Sequence, residues 1–133
     1  DMSKKVFIKG LLLIPAVLLL LSAFNFLVQP QQAVESLGMM LLDGIGRSSQ
    51  IGDMGAFFVC TAGFIFYGVA KSVPGPIYAS ATLLVTAAMY RTVAWLYHDA
   101  DFASTFIIFE IVLFAWLVVL ARLMAEPDET SDD

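Results

Sequence analysis

Four long runs of apolar residues constrain this chain more than any other feature. Each run is close to the roughly 20 residues that an α-helix needs to cross the hydrocarbon core of a bilayer. None of them alternates polar and apolar residues as membrane β-strands do, and a segment in hydrocarbon must satisfy its own backbone hydrogen bonds. The runs therefore predict transmembrane helices at about residues 6–28, 53–71, 76–98 and 102–124.

The composition agrees with a membrane protein. Apolar residues make up 59% of the chain and charged residues 14%, whereas soluble domains carry about 25% charged residues. This balance excludes a soluble globular domain, a disordered chain and a nucleic-acid partner. We expect one all-α domain over residues 1–125, a four-transmembrane-helix bundle. Five of the 12 acidic residues lie in 126–133, which predicts an acidic disordered tail there.

The connection between the first two runs has a pattern of its own. Pro30 suits the start of a helix, and Val34, Leu37 and Leu41 recur at helical spacing. We therefore predict a short interfacial amphipathic helix over about residues 30–42. Gly44 and Gly46 are expected to end it and to let it move as a cover over a cavity.

The basic residues predict the orientation. With four spans, both termini and the turn between the second and third spans fall on one side. Positive charge favours the cytoplasmic side, so we expect an N-in, C-in protein of the bacterial inner (cytoplasmic) membrane, with the turn at His98 facing out. The residues that decide this are Lys4, Lys5, Lys9, Lys71 and Arg122.

Arg91 and Glu110 lie inside the third and fourth runs. A charge near the bilayer centre costs about 2.5–3.5 kcal/mol, which makes such residues functional candidates. Counted from the turn that joins these helices, they lie at similar depths of about 10 and 12 Å, so we predict that they pair. Two interpretations stay open: a structural ion pair, or an Arg91 that binds an anionic head group while Glu110 holds its guanidinium.

Other polar residues fall in the same outer half of the predicted bundle. We expect them to converge on a ligand-binding pocket, with Asp53 also capping the second span and Arg47 pairing with Asp43. One histidine is too little for a metal site, and no cofactor-binding motif is present, so neither a metal nor a cofactor is predicted. The ligand-binding candidates are Arg91, Glu110, His98, Arg47, Asp53 and Asn25.

Small residues recur along the second run. Gly52, Ala56, Cys60 and Gly63 form one stripe, and small residues mark close helix contacts in membranes. We therefore expect this stripe to face the third helix and Cys60 to be buried and inert.

Four features of the layout suggest a family resemblance: residues 44–47 (Gly-Ile-Gly-Arg), Arg91, the acidic turn at 99–101, and Glu110. Over residues 30–122 the chain resembles the small four-helix bacterial membrane proteins of uncharacterised families near the DoxX-like group. The resemblance implies a four-helix membrane fold and a bacterial membrane location, and it implies no activity.

Three functions fit the sequence. The favoured one is binding of a lipid or small anionic amphiphile in an outward-facing polar pocket, alone or as an accessory subunit. The second is a membrane-embedded enzyme with His98 as acid/base and Arg91 as anion clamp. The third is a purely structural subunit of a larger membrane complex. The expected partners are membrane lipids, with a membrane-protein partner or a second copy of the chain as further candidates. A cavity that reaches Arg91 favours the first two functions, and a sealed ion pair favours the third.

Overall fold

The chain folds into helices alone. The structure is a computed structural model that describes residues 2–128, and this part of the chain contains no β-strand. Its five helices are α1 (Met2–Val28), α2 (Pro30–Ser36), α3 (Gly44–Lys71), α4 (Gly75–Tyr97) and α5 (Ser104–Ala125). The predicted all-α class is confirmed. The predicted tail begins just after α5, and residues 129–133 lie outside the described residues.

Three of the helices, α1, α3 and α5, are long and apolar enough to cross a membrane. They indicate a membrane protein. α4 has 23 residues, a comparable length, and it carries Arg91 and several hydroxyl-bearing residues.

The four long helices form a closed ring. α1 packs against α3 and α5, α4 packs against the same two helices, and the short α2 packs against α1. The interior of the ring is filled by aliphatic side chains that are almost completely buried, among them Leu12, Ile65, Ile77, Leu84 and Leu117. Their burial supplies the apolar contact area that holds the helices together.

Two contacts define one end of the bundle. Lys9 Nζ donates a hydrogen bond of 2.6 Å to Ser72 Oγ, and Lys5 Nζ lies 3.7 Å from Asp128 Oδ1. The start of α1, the α3–α4 turn and the end of α5 therefore meet at this end, called the basic end below. The opposite end holds the 29–43 connection and the α4–α5 turn and is called the loop end.

α3 begins at Gly44, well before the predicted start at residue 53. Its 28 residues would extend about 42 Å at 1.5 Å per residue, longer than the roughly 30 Å hydrocarbon core. The prediction placed the start too late because it followed apolarity, and the first turns of α3 are polar. Asp53 consequently lies exposed within the helix and does not cap it, and the N-cap position belongs to Asp43.

α2 is shorter than the predicted interfacial helix because Gly38 stops it. Gly38 has φ +77°, the left-handed conformation that glycine adopts readily. The Gly38 N–H donates to the Glu35 carbonyl at 3.0 Å, and the Met39 N–H donates to the Val34 carbonyl at 2.9 Å. These two bonds form a Schellman motif, which satisfies carbonyls left free at a helix end. Leu41 therefore lies outside the helix.

The rest of this connection is tied to α3. The Gln50 side chain accepts a hydrogen bond from the Leu42 N–H at 2.9 Å and donates one to the Met40 carbonyl at 2.9 Å. Gly44 and Gly46 belong to the first turn of α3 and do not end α2. A Cβ atom at Gly46 would come within 2.9 Å of Leu42 Cδ1, so this glycine provides room for packing.

The small-residue stripe of α3 is not packed against α4, although Cys60 and Gly63 border an open surface groove that α4 also lines. Gly52, Ala56, Cys60 and Gly63 are all exposed, so the predictions of a buried Cys60 and of a contact through this stripe are wrong. The close approach to α4 uses another face of α3. There the hydroxyl of Ser80 donates to the Thr61 carbonyl at 2.6 Å, and a Cβ atom at Gly68 would lie 2.6 Å from Ile77 Cγ1.

Candidate functional site

An ion pair inside the bundle is the centre of the candidate site. Arg91 Nε donates to Glu110 Oε1 at 2.6 Å, with the arginine side chain 33% exposed and the glutamate side chain 8% exposed. This confirms the prediction that Arg91 of α4 and Glu110 of α5 pair. The pair forms because both residues lie about two turns from the same short connection, on helix faces that meet.

The ion pair uses only part of its hydrogen-bonding capacity. The guanidinium of Arg91 lies over the Phe106 ring, with Cζ 4.6 Å from the ring centroid, a favourable cation–π geometry. Within residues 2–128, no other hydrogen bond reaches the Nη atoms of Arg91 or Oε2 of Glu110. No side-chain polar atom in the described part of the chain is enclosed without a partner, so these atoms reach accessible space.

A cavity of about 260 Å³ opens onto this ion pair. Apart from Arg91 and Glu110, its walls are mainly apolar, and they come from α1, α3, α4 and α5 and from Leu37 at the end of α2. Three lining residues, Leu18, Thr105 and Phe109, are also exposed at the surface. The cavity therefore opens sideways, between α1 and α5.

The same two helices close the cavity toward the basic end. Leu12 of α1 and Leu117 and Ala121 of α5 are completely buried there. Trp116 Nε1 donates to the carbonyl oxygen of Leu11 at 3.0 Å and joins α5 to the α1 backbone. The cavity is thus a lateral cleft that begins above this contact and extends toward the loop end.

The structure brings together two of the six predicted site residues. His98 is exposed at the C-cap of α4, and Asp53 is exposed on α3. Arg47 is exposed and forms the expected pair with Asp43, at 3.0 Å. Asn25 lines an adjoining cavity of about 40 Å³, which shares Leu37 and Phe58 with the wall of the Arg91 cavity. None of these four lines the Arg91 cavity. The prediction compared only their depths in the bundle, and residues at the same depth can lie on helix faces that point in different directions.

The interfacial segment reaches the cavity only through Leu37. Its helix is anchored by Ala33 and Val34, which are buried against Phe26, and its last residues are held by Gln50. The predicted cover therefore contributes one side chain to the cleft wall, and both of its ends are held by contacts. Among the described residues, no group of three or more histidine, cysteine, aspartate or glutamate side chains is placed to hold a metal ion.

Sequence reasoning missed Phe106, Thr105 and the Trp116 contact. Phe106 and Thr105 lie close to Glu110 on α5, but the sequence does not reveal which residues of an apolar helix line a cleft. The Trp116 contact had a signal: Pro15 has no N–H, so the carbonyl four residues before it, that of Leu11, lacks its helical donor.

No protein-family model matches the chain, and no curated protein or solved structure is significantly similar to it. The fold and the site define a helical protein with three helices that could span a membrane and a buried Arg91–Glu110 ion pair beside a lateral cleft. The resemblance to the DoxX-like group stays a prediction.

Proposed function

We propose that the chain crosses the bacterial inner membrane four times, with α4 as the additional span. α4 runs from the α3–α4 turn at the basic end to its C-cap at the loop end. Its neighbours in the ring of helices are α3 and α5. A helix with these neighbours shares their depth. The basic residues at one end then favour cytoplasmic termini and a loop end that faces out.

We further propose that the lateral cleft binds a lipid or another amphiphile, with a hydrocarbon chain along its apolar wall and a polar head at Arg91. The observation that carries this proposal is a largely apolar cavity lined at one point by Arg91 and Glu110, whose Nη and Oε2 atoms have no hydrogen-bond partner among the described residues. Its volume of about 260 Å³ is just below the roughly 300–1,000 Å³ of typical ligand pockets. The cleft thus suits a polar head and the first part of one chain, while the rest of the molecule stays in the bilayer.

The same geometry weighs against the other two functions. A purely structural ion pair would be expected to use its donors and acceptors within the protein, whereas the Nη atoms of Arg91 have no protein partner among the described residues. The enzyme hypothesis needs His98 as acid/base, and His98 lies outside the residues that line the cleft.

Native mass spectrometry of the full chain, purified in mild detergent, tests lipid binding. Thr105→Phe places a bulky ring at the rim of the cleft and should abolish bound lipid. Thr82→Phe is the matched control, because Thr82 is an exposed threonine of α4 that does not line the cleft. Equal lipid occupancy in the two variants would overturn the proposal and favour a structural role.

A further inference from the structure

The hydrogen-bonding groups of Arg91 and Glu110 indicate which lipid head group the proposed site would prefer. Resting on the proposed function, we infer that the cleft selects a zwitterionic head in which a phosphate and a primary ammonium group are separated by a short linker. Three properties of the Arg91–Glu110 pair lead to this class: its free donors, its free acceptor and its net charge.

The free donors belong to Arg91. A guanidinium has five N–H groups in a fixed planar fork, and only the Nε–H is used within the described residues. The Nη groups remain for an oxyanion, which a guanidinium binds in a bidentate manner. The Phe106 ring covers one face of the guanidinium, so the phosphate would approach in its plane.

The free acceptor belongs to Glu110. An ionised carboxylate accepts hydrogen bonds through both oxygens and donates none, and Oε2 has no partner in the described part of the chain. A head group that carries only acceptors would face this oxygen unfavourably. A primary ammonium carries three N–H donors and can bind it, whereas a quaternary ammonium carries none.

The net charge separates a zwitterion from an anion. Arg91 and Glu110 together carry no net charge, and an uncompensated charge within the bilayer is costly. A zwitterionic head leaves the occupied site neutral, with phosphate on Arg91 and ammonium on Glu110. An anionic head would leave one extra negative charge beside a buried carboxylate.

Three lysophospholipids with the same acyl chain test the head-group class: lysophosphatidylethanolamine, lysophosphatidylglycerol and lysophosphatidylcholine. In native mass spectrometry competition, the wild-type chain should prefer the ethanolamine head over the other two by about tenfold. An equal or stronger binding of the glycerol or choline head would overturn the head-group class and leave the proposed lipid site standing.

The variant Glu110→Gln tests the role of Glu110 through the order of the three head groups, a readout that does not measure the stability of the protein. The amide keeps the size of the side chain and an acceptor for Arg91 Nε, but it leaves the site with one positive charge. Its preference should move to the anionic glycerol head. Asp53→Asn, the same loss of charge at an exposed position away from the cleft, should keep the ethanolamine preference. An unchanged preference in Glu110→Gln would refute the assigned role of Glu110.

The two proposals fail in different ways. If no lysophospholipid binds the wild-type chain, and Thr105→Phe behaves like Thr82→Phe, the lipid site itself is wrong. If lipid binds and Thr105→Phe blocks it, but the order of the three heads differs from the expected one, only the head-group class is wrong.

Discussion

The hydrogen bond between Trp116 and α1 compensates for a proline, and this relation can be measured. Pro15 lies inside α1 and has no N–H for the Leu11 carbonyl, which accepts from Trp116 Nε1 at 3.0 Å instead. In hydrocarbon, a backbone carbonyl freed by proline needs another donor. We predict that Trp116→Phe destabilises the protein because it leaves this carbonyl without a donor.

The expected loss is about 1 kcal/mol from the hydrogen bond alone. A buried polar group left without a partner costs about 1–3 kcal/mol in proteins, whereas hydrogen bonds between membrane helices average about 0.6 kcal/mol. Trp116 is 38% exposed, which places its bond toward the lower part of this range. The smaller phenyl ring adds a packing loss that is independent of the carbonyl.

A double-mutant cycle with Pro15→Ala isolates the hydrogen bond. Alanine at position 15 supplies an N–H to Leu11 within the helix, so Trp116→Phe should then cost about 1 kcal/mol less than in the wild-type background. Unfolding in mixed micelles with increasing SDS, followed by circular dichroism, gives both values. Equal losses in the two backgrounds would refute the compensation. Trp95→Phe, at a tryptophan whose ring is tilted by 49° against that of Phe102, is a control that should show no coupling to Pro15→Ala.

Two further predictions concern the ion pair and the topology. Glu110→Ala should destabilise by about 3–5 kcal/mol, because it leaves the Arg91 charge uncompensated, and the double variant with Arg91→Leu should be more stable than this single variant; additive losses in the same SDS titration would contradict the coupling. In intact cells and a Cys60→Ser background, a cysteine at Ala100 should react with an impermeant reagent and one at Ser72 should not, and the reverse pattern would invert the proposed orientation.

The depth of the ion pair could be predicted from the sequence because depth depends only on counting. α4 and α5 leave the same short connection, so Arg91 and Glu110, at similar distances from it, had to lie at similar heights. Their contact also needed facing helix surfaces, which counting along the chain does not give. The positions of the four long helices followed in the same way from the apolar runs, apart from the start of α3.

The facing of α3 and the ends of α2 and α3 could not be derived in the same way. Apolar residues occur on all sides of a membrane helix, so the stripe around Cys60 looked like a contact surface although it is exposed. The start of α3 was missed because its first turns are helical but polar, and the prediction followed the apolar run. Gly38 stops α2, but its left-handed conformation depends on hydrogen bonds that the sequence does not reveal.

The sideways opening of the cleft between α1 and α5 changes which concentration governs its occupancy. A ligand that enters from the bilayer arrives by diffusion within one leaflet. The occupancy of the cleft then depends on the mole fraction of that ligand among the lipids of the leaflet. An abundant lipid would fill even a low-affinity cleft in the membrane and would stabilise the folded chain by mass action. Detergent dilutes that lipid, so the thermal stability of the purified protein should fall as the ratio of detergent to retained lipid rises.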